Sequence, residues 1–549
     1  MRYPVDELTE AERARLAPHV TNLDQPVFAL ANLPETVKGA LFARYSRYPG
    51  TLRRLFLDEF ADSLPPADGS FDGSEGRRAA ELYERIFVGY GDDSVAQLGG
   101  AHVAAEWCSN VLTKLLQRPR MGAYLEQSTR YIAYDQEIPI GGAGGRNVRA
   151  GVAEGGAPVE FGYRYHRDER LGPEYSTAMD FLFQSYSDAL PVVRAWVDET
   201  FPRADGESDA ARNRAVGAKA LDLLRGLLPA ASLSHMGIYA TGQAYEQLIL
   251  HLIGHPLPEA RHYGTLILDA IKAVMPSFVA RVERPDRGGE WVTHLERRRA
   301  TAERWSARMG LDRAEGSDDQ RPSVTLTHVD GDEEQLLAAL LFESTATSEA
   351  AALAAVAEMG AEDRAQAIAD LVGERRNRRH RPGRGFEALR YRFEVVSDYG
   401  AFRDLQRHRM LTVQWQALTP GLGAAVPEEV SEAGAGDAYA RALDASRAEY
   451  HRLAEAGLTE AAPYALCLGY RMRYVLDLNA REAMQLIELR SGREGHPTYR
   501  AVAHEMHAQI AAVHPAVAAA MTHVDRELEP RLERILSEMR TQSRLEARV

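Results

Sequence analysis

Two arginines separated by a single residue occur twice in the same setting, as Leu116-Gln117-Arg118-Pro119-Arg120-Met121 and as Leu405-Gln406-Arg407-His408-Arg409-Met410. Five of the six positions agree. Guanidinium groups so spaced can grip phosphate or polarised carbonyl oxygens, because each presents a planar fork of donors that matches such acceptors. The first copy continues as Met121-Gly122-Ala123-Tyr124-Leu125-Glu126-Gln127-Ser128-Thr129-Arg130-Tyr131. In an extended segment Glu126, Ser128 and Arg130 project to one side and offer acceptor, hydroxyl and cation together. That set suits a nucleoside monophosphate, with arginine on the phosphate and the others on sugar or base.

The interval from residue 116 to residue 405 is domain-sized, far beyond the period of solenoid repeats. A second echo keeps the same order: Gly254-His255-Pro256 returns as Gly495-His496-Pro497, each followed by a helical pattern that reaches Pro276 and Pro515 respectively. The chain therefore reads as a tandem duplication: a first repeat over 22–283, a charged connector over 284–322 with a short helix from Leu295 to Met309, a second repeat over 323–525, and an amphipathic C-terminal helix over 526–549. Apolar residues recur at three and four positions over Ala218 to Leu228, Ala244 to Ile253, Tyr263 to Val274, Tyr439 to Leu453 and Ala480 to Leu489, which predicts helices. Val324 to Val329 alternates and Arg390 to Val396 is aromatic and β-branched, which predicts strands. The expected class is a helix-rich α+β domain made twice.

With 549 residues, 45% hydrophobic and 26% charged, the composition is that of a folded globular protein. A formal net charge of -14 opposes broad binding to nucleic acid or to an anionic membrane, so no such partner is expected. No basic segment followed by an apolar run opens the chain, and no stretch is apolar for a bilayer's thickness, so the cytoplasm is the expected location. Cys108 and Cys467 are the only cysteines, which excludes a disulfide framework and a multi-cysteine zinc site. Both fall in stretches that read as helix, Ala104 to Gln117 and Ala461 to Val475, where a buried structural thiol is the commoner role.

Three other signals carry less. Gly141-Gly142-Ala143-Gly144-Gly145-Arg146 lacks the spacing of a phosphate loop and reads as flexible. His504-Glu505-Met506-His507 misses the one-turn spacing that would place two histidines around zinc, so these read as packing or surface residues and no metal is expected. The run Arg375 to Arg384 is the strongest basic cluster, either a solvated loop or a collector of a small polyanion.

The motif resembles the signature of the flavin-dependent thymidylate synthases, R-H-R-x-x-S-x-N-E-x-S-x-R-Y. Arg118, Arg120, Glu126, Ser128, Arg130 and Tyr131 fit it in the first copy, while Pro119, Ala123 and Leu125 depart. The second copy keeps Arg407-His408-Arg409 and a hydroxyl at Thr412, then reads Gln414-Trp415-Gln416-Ala417-Leu418-Thr419-Pro420. Asn479-Ala480-Arg481-Glu482-Ala483-Met484-Gln485-Leu486-Ile487-Glu488-Leu489-Arg490 is similar to the family's later helix, and the first half has no such arginine near Thr241 to Leu252. Conversely Arg225-Gly226-Leu227-Leu228-Pro229 resembles the family's phosphate-binding segment, where the second half has Pro463. Glu387 stands where the family has a flavin-contacting glutamate, and the first half has Leu98.

The resemblance implies two divergent domains of that family with complementary losses. The first half is expected to supply Glu126, Ser128, Arg130 and Arg225 as a nucleotide wall, and the second Arg407, His408, Arg409, Glu387, Asn479, Arg481 and Gln485 for flavin, with Arg490 on the base. Family members resemble one another in being homotetramers, so a homodimer forming a pseudo-tetramer with composite sites is implied. The implied reaction is reductive methylation of dUMP to dTMP with FAD as cofactor and methylenetetrahydrofolate and NADPH as co-substrates. Pro382 replaces a histidine near flavin, and Asp404 replaces a glutamine that contacts the nucleotide. A carboxylate there leaves open another pyrimidine nucleotide, or a flavin- and nucleotide-binding protein without turnover.

Overall fold

The computed structural model describes residues 3–4, 6–33, 35–63, 97, 99–140, 160–203, 205–311, 322–527, 532 and 534–546. Leu98, the glycine-rich segment Gly141 to Arg146 and the acidic segment Glu315 to Asp319 lie outside them. The chain separates into two compact units, and neither is one continuous stretch. The first comprises 1–189, 227–316 and 438–467, and the second 190–226, 317–437 and 468–549. Each unit thus takes one segment from the other sequence repeat. Residues 190–226, which carry Arg225, belong with the second repeat, and 438–467 belong with the first.

Ten strands are described: β1 (Val27–Ala29), β2 (Gly100–Ser109), β3 (Gly122–Glu126), β4 (Ile138–Ile140), β5 (Glu160–Gly162), β6 (Leu233–Thr241), β7 (Ser323–Asp330), β8 (Arg390–Asp398), β9 (Leu411–Trp415) and β10 (Arg471–Asn479). The first unit holds a four-stranded sheet of order β1-β2-β6-β3, and the second a sheet of order β7-β8-β10-β9. All pairings are antiparallel. Taken within each repeat, the two orders are the same. β3 meets β6 over five residues, as β9 meets β10. The GHP echoes are alike too: they precede the helices Pro258–Val274 and Pro497–Val513, both of 17 residues, and Pro276 and Pro515 each open a further short helix.

The expected helices over Ala244 to Ile253, Tyr263 to Val274, Tyr439 to Leu453 and Ala480 to Leu489 are present, as are the strands at Val324 and Arg390. The helix Asp209–Leu224 stops short of Leu228 and tightens into a 3-10 turn at Arg225–Leu227. The connector helix starts earlier than expected and spans Glu290–Met309. Both cysteine-bearing stretches need correction. Cys108 lies in β2, whose following helix is only Asn110–Leu116. Cys467 follows a 3-10 turn at Ala462–Ala465 and precedes β10. The reason is legible in β10 itself: Met472, Tyr474, Leu476 and Leu478 are buried at every second position, the period of a strand.

In the second unit the sheet's inner face carries Tyr391, Phe393, Val395, Tyr474 and Leu476, with Phe402 packed at 5.0 Å from the Tyr474 ring. In the first, Phe28, Leu41, Tyr45, Leu52 and Leu55 form one apolar cluster. Burial of each such side chain contributes about 1.5–3 kcal/mol. No helix among the described residues is long and apolar enough to cross a membrane.

The basic run beginning at Arg375 divides by burial. Arg375 is buried, and its two terminal nitrogens each donate at 2.6 Å to the buried Glu488 carboxylate, whereas Arg376 to Arg381 are exposed. Arg375 therefore staples the turn to the helix Ala480–Arg490. Glu488→Ala leaves that guanidinium buried without its partner, and chemical denaturation is expected to show a loss of about 3–5 kcal/mol in the second unit.

Candidate functional site

The repeated six-residue phrase forms the same corner in each unit. Asp398 caps the helix Tyr399–Leu405 by accepting the Ala401 amide at 2.8 Å, and Ser109 caps Asn110–Leu116 through the Leu112 amide at 3.0 Å. Leu405 and Leu116 end those helices, the glutamines are their C-caps, and β9 and β3 begin just beyond. Each arginine pair thus sits on a tight helix-to-strand turn. The sheet and a short buried helix position it.

In the second unit this corner gathers charge. Arg225, 4% exposed, places Nη1 3.2 Å from Asp404 Oδ2 and Nη2 3.8 Å from Asp398 Oδ1. Arg407 Nη2 donates to the other oxygen, Asp404 Oδ1. The Asp404 carboxylate therefore bridges one arginine from each sequence repeat. Arg225 Nη2 is buried and has no hydrogen-bond partner. Gly400 permits this approach, since a Cβ there would stand 3.0 Å from Arg225 Nε and 3.1 Å from its Cζ. Sequence reasoning missed Gly400 and Asp398; the Asp398 cap ahead of an apolar helix was a readable signal.

Arg490 ends the helix Ala480–Arg490 and joins the cluster. Its Nε donates to His408 Nε2 at 3.1 Å, and its guanidinium carbon lies 5.5 Å from the Tyr499 ring centroid. His408 Nδ1 is 2.9 Å from Glu482 Oε1. Because Nε2 accepts from Arg490, the proton of a neutral ring resides on Nδ1 and points to Glu482. Asn479 accepts the Glu482 amide at 2.9 Å and caps the helix. Glu482, His408 and Arg490 thus form a chain that fixes the arginine's direction. Burial, reinforced by the Arg490 and Arg407 charges, holds the imidazole below its ordinary pKa of 6.5.

That shift has a sign. The unfolded chain takes a proton as pH falls through 6.5 while folded His408 stays neutral, so stability present above pH 6.5 is lost on acidification. Denaturation midpoints at pH 7.5 and 5.5 are expected to separate less in His408→Gln, whose amide oxygen can still accept from Arg490, than in the wild type. The difference is up to about 1.4 kcal/mol per pH unit.

A second polar edge flanks the same helix. Arg481 donates from Nε to the Pro382 carbonyl at 3.1 Å and from Nη1 to Glu387 at 3.4 Å, and Arg384 also pairs with Glu387 at 3.1 Å. The adjacent Arg384 hydrogen bonds keep the Glu387 carboxyl below the usual range. Gln485 lies one turn after Arg481, both half-buried, and Arg409 is exposed.

The first unit places its residues differently. β3 ends at Glu126, and the expected extended run through Arg130 is replaced by a turn, in which the Ser128 carbonyl accepts the amides of Tyr131 and Ile132 and the Ser128 hydroxyl accepts that of Arg130. Glu126 is buried, its Oε2 2.9 Å from both Lys114 Nζ and Gln117 Nε2. Ser128 and Arg130 are half-buried. Leu252, the eleventh residue of the helix Gly242–Ile253, stands where the second unit has Arg490. A cavity of about 130 Å³ in this unit is lined by His166, Glu259 and Tyr464 among others, and the Glu259 carboxylate is satisfied by the Ser109 amide and hydroxyl and by the Tyr464 hydroxyl. Both thiols are buried, which pushes Cys467 up to about 12 and Cys108 well above its ordinary value, so neither is a thiolate near neutrality. His504 and His507 contact the Asp525 and Ala518 carbonyls, and no metal-binding group of three or more His, Cys, Asp or Glu occurs among the described residues.

The family model described as thymidylate synthase complementing protein matches this chain twice, over residues 58–277 and 326–516. A UPF0159 protein of Chlamydia muridarum is 34% identical over 94% of this chain and 96% of its own length, and one of Chlamydia pneumoniae is 35% identical over 91% of each. A UPF0159 protein of Thermoplasma acidophilum is 29% identical over 89% of this chain and 95% of its own. Among solved structures, a UMP/dUMP methylase from Streptomyces cacaoi aligns at 20% identity and a TM-score of 0.30, covering 38% of this chain and 98% of that one. With the family's domain present twice, and each copy built on the same strand order, the chain belongs to the thymidylate synthase complementing protein family, the flavin-dependent thymidylate synthases, as a tandem-duplicated member.

Proposed function

We propose that this protein catalyses reductive methylation of dUMP to dTMP, with methylenetetrahydrofolate giving the carbon and NADPH the electrons, at a site that draws on both sequence repeats. One observation carries the reading: Arg225 of the first repeat is buried against Asp404, which also holds Arg407 of the second, and one of the Arg225 guanidinium nitrogens has no hydrogen-bond partner. Arg225 and Arg407 would hold the nucleotide phosphate. Arg490, aimed by His408 and Glu482, would hydrogen-bond the uracil edge and stabilise negative charge as C5 becomes nucleophilic. Glu126, Ser128 and Arg130 of the first unit are further proposed nucleotide contacts. Asp404 does not exclude uracil, because each of its oxygens is already turned to an arginine rather than free to meet a uracil carbonyl.

The donor set beside Arg490 fits a flavin. Arg481 and Gln485 share one helix face, Asn479 caps its N-terminus and Glu387 accepts from Arg481. The cation and amides suit phosphate and ring carbonyl oxygens, while the carboxylate suits a ring or sugar donor. Arg409 is assigned to the same group. FAD bound there would carry hydride to the pyrimidine. Sites composed of two repeats suit a two-chain assembly in which four family-like domains form a pseudo-tetramer. The test is the visible spectrum of the purified protein, followed by an anaerobic assay for dTMP from dUMP, methylenetetrahydrofolate and NADPH. Flavin bands with dTMP are expected. Flavin without dTMP would instead favour another pyrimidine nucleotide or a binding role without turnover.

A further inference from the structure

We propose that Asp404 is a built-in counter-ion that keeps Arg225 and Arg407 in register and competes with the ligand's own anion, so that it sets how much negative charge the site accepts. The inference rests on the nucleotide reading of this site and adds the determinant of its charge selectivity.

Asp404 is 7% exposed and gives one oxygen to each arginine, the bridging arrangement that two phosphate oxygens would adopt. Arg407 is exposed enough, at 39% for its side chain, to turn toward an arriving ligand, whereas Arg225 is fixed. The free capacity of Arg225 is its Nη2, whose nearest carboxylate, Asp398 at 3.8 Å, is beyond hydrogen-bonding range. A phosphate that takes Nη2 and Arg407 must therefore lie close to the Asp404 carboxylate. Like charges at that range repel strongly in a buried setting, and the repulsion grows with each further ligand charge. The site should accept a monophosphate at some loss of affinity and discriminate steeply against di- and triphosphates. An amide at residue 404 would keep an acceptor for Arg225 while removing the repulsion.

The experiment compares wild type with Asp404→Asn and Asp404→Gln, using inorganic phosphate, dUMP and dUTP as probes in thermal-shift and calorimetric titrations. Both variants should be less stable than wild type without ligand, yet gain more in melting temperature from inorganic phosphate. They should also bind dUMP at least about tenfold more tightly, close to 1.4 kcal/mol, and lose much of the discrimination against dUTP. Equal or weaker anion binding in the variants overturns the proposal, because a residue that merely supports the arginines would lower affinity when removed. Failure of both variants to fold even in phosphate also overturns it, since phosphate should replace the carboxylate between the arginines. The outcomes separate from those of the parent reading. A larger phosphate response with no dUMP binding in any form would retain the counter-ion and reject the nucleotide, whereas dUMP binding that weakens in the variants would do the reverse.

Discussion

Arg490→Ala is expected to lower kcat/KM by about 10²–10³ or more while leaving the fold intact, the size of effect seen when a donor aimed at developing negative charge is removed. The side chain is half-buried at a helix end, and its removal frees His408 Nε2 and uncovers the Tyr499 ring without leaving a buried charge unpaired on His408, which is neutral. The stability change should therefore be small. Arg490→Lys should not restore activity, because a point charge cannot both donate along the His408 axis and present a planar fork to a uracil edge. Steady-state kinetics on the two variants, with circular dichroism to establish folding, check this. Near-normal turnover in either would remove Arg490 from the chemistry.

Arg225→Ala should combine two losses. The phosphate grip disappears, and Asp398 and Asp404, at the two ends of a short buried helix, lose the buried guanidinium they share, at a cost of about 3–5 kcal/mol in the second unit. The two losses are separable. Adding Asp404→Leu removes the stranded charge, so the double variant should regain stability in chemical denaturation without regaining dUMP binding. Recovery of binding in the double variant would mean that Arg225 matters only as the partner of Asp404.

Much of this arrangement was readable before the fold. The Leu116 and Leu405 phrases marked equivalent corners, and the GHP echoes marked equivalent helices, because a turn that must end one helix and launch a strand constrains every residue in it. Tyr391 and Tyr439 lie in elements whose periodicity was plain. The Cys467 region was misread because the alternation of Met472, Tyr474, Leu476 and Leu478 begins only after a stretch of small apolar residues that also suits a helix. Glu126 illustrates a different limit. Its residue type suits ligand binding, yet burial beside Lys114 and Gln117 is decided by tertiary packing that no local pattern encodes. Likewise, that residues 190–226 join the second unit follows from contacts far apart in sequence, although the complementary losses at Pro463 and Arg225 already pointed to residues of the two repeats serving one site.

The most direct test of that shared site is the number of nucleotides bound per chain, measured by calorimetric titration of the flavin-loaded protein with dUMP. One dUMP per chain is predicted, with binding lost in Arg225→Ala and in Arg490→Ala alike, since the first unit has Leu252 in place of Arg490 and the site needs residues of both repeats. Two dUMP per chain, or one that survives either substitution, would contradict a single site assembled from the two repeats.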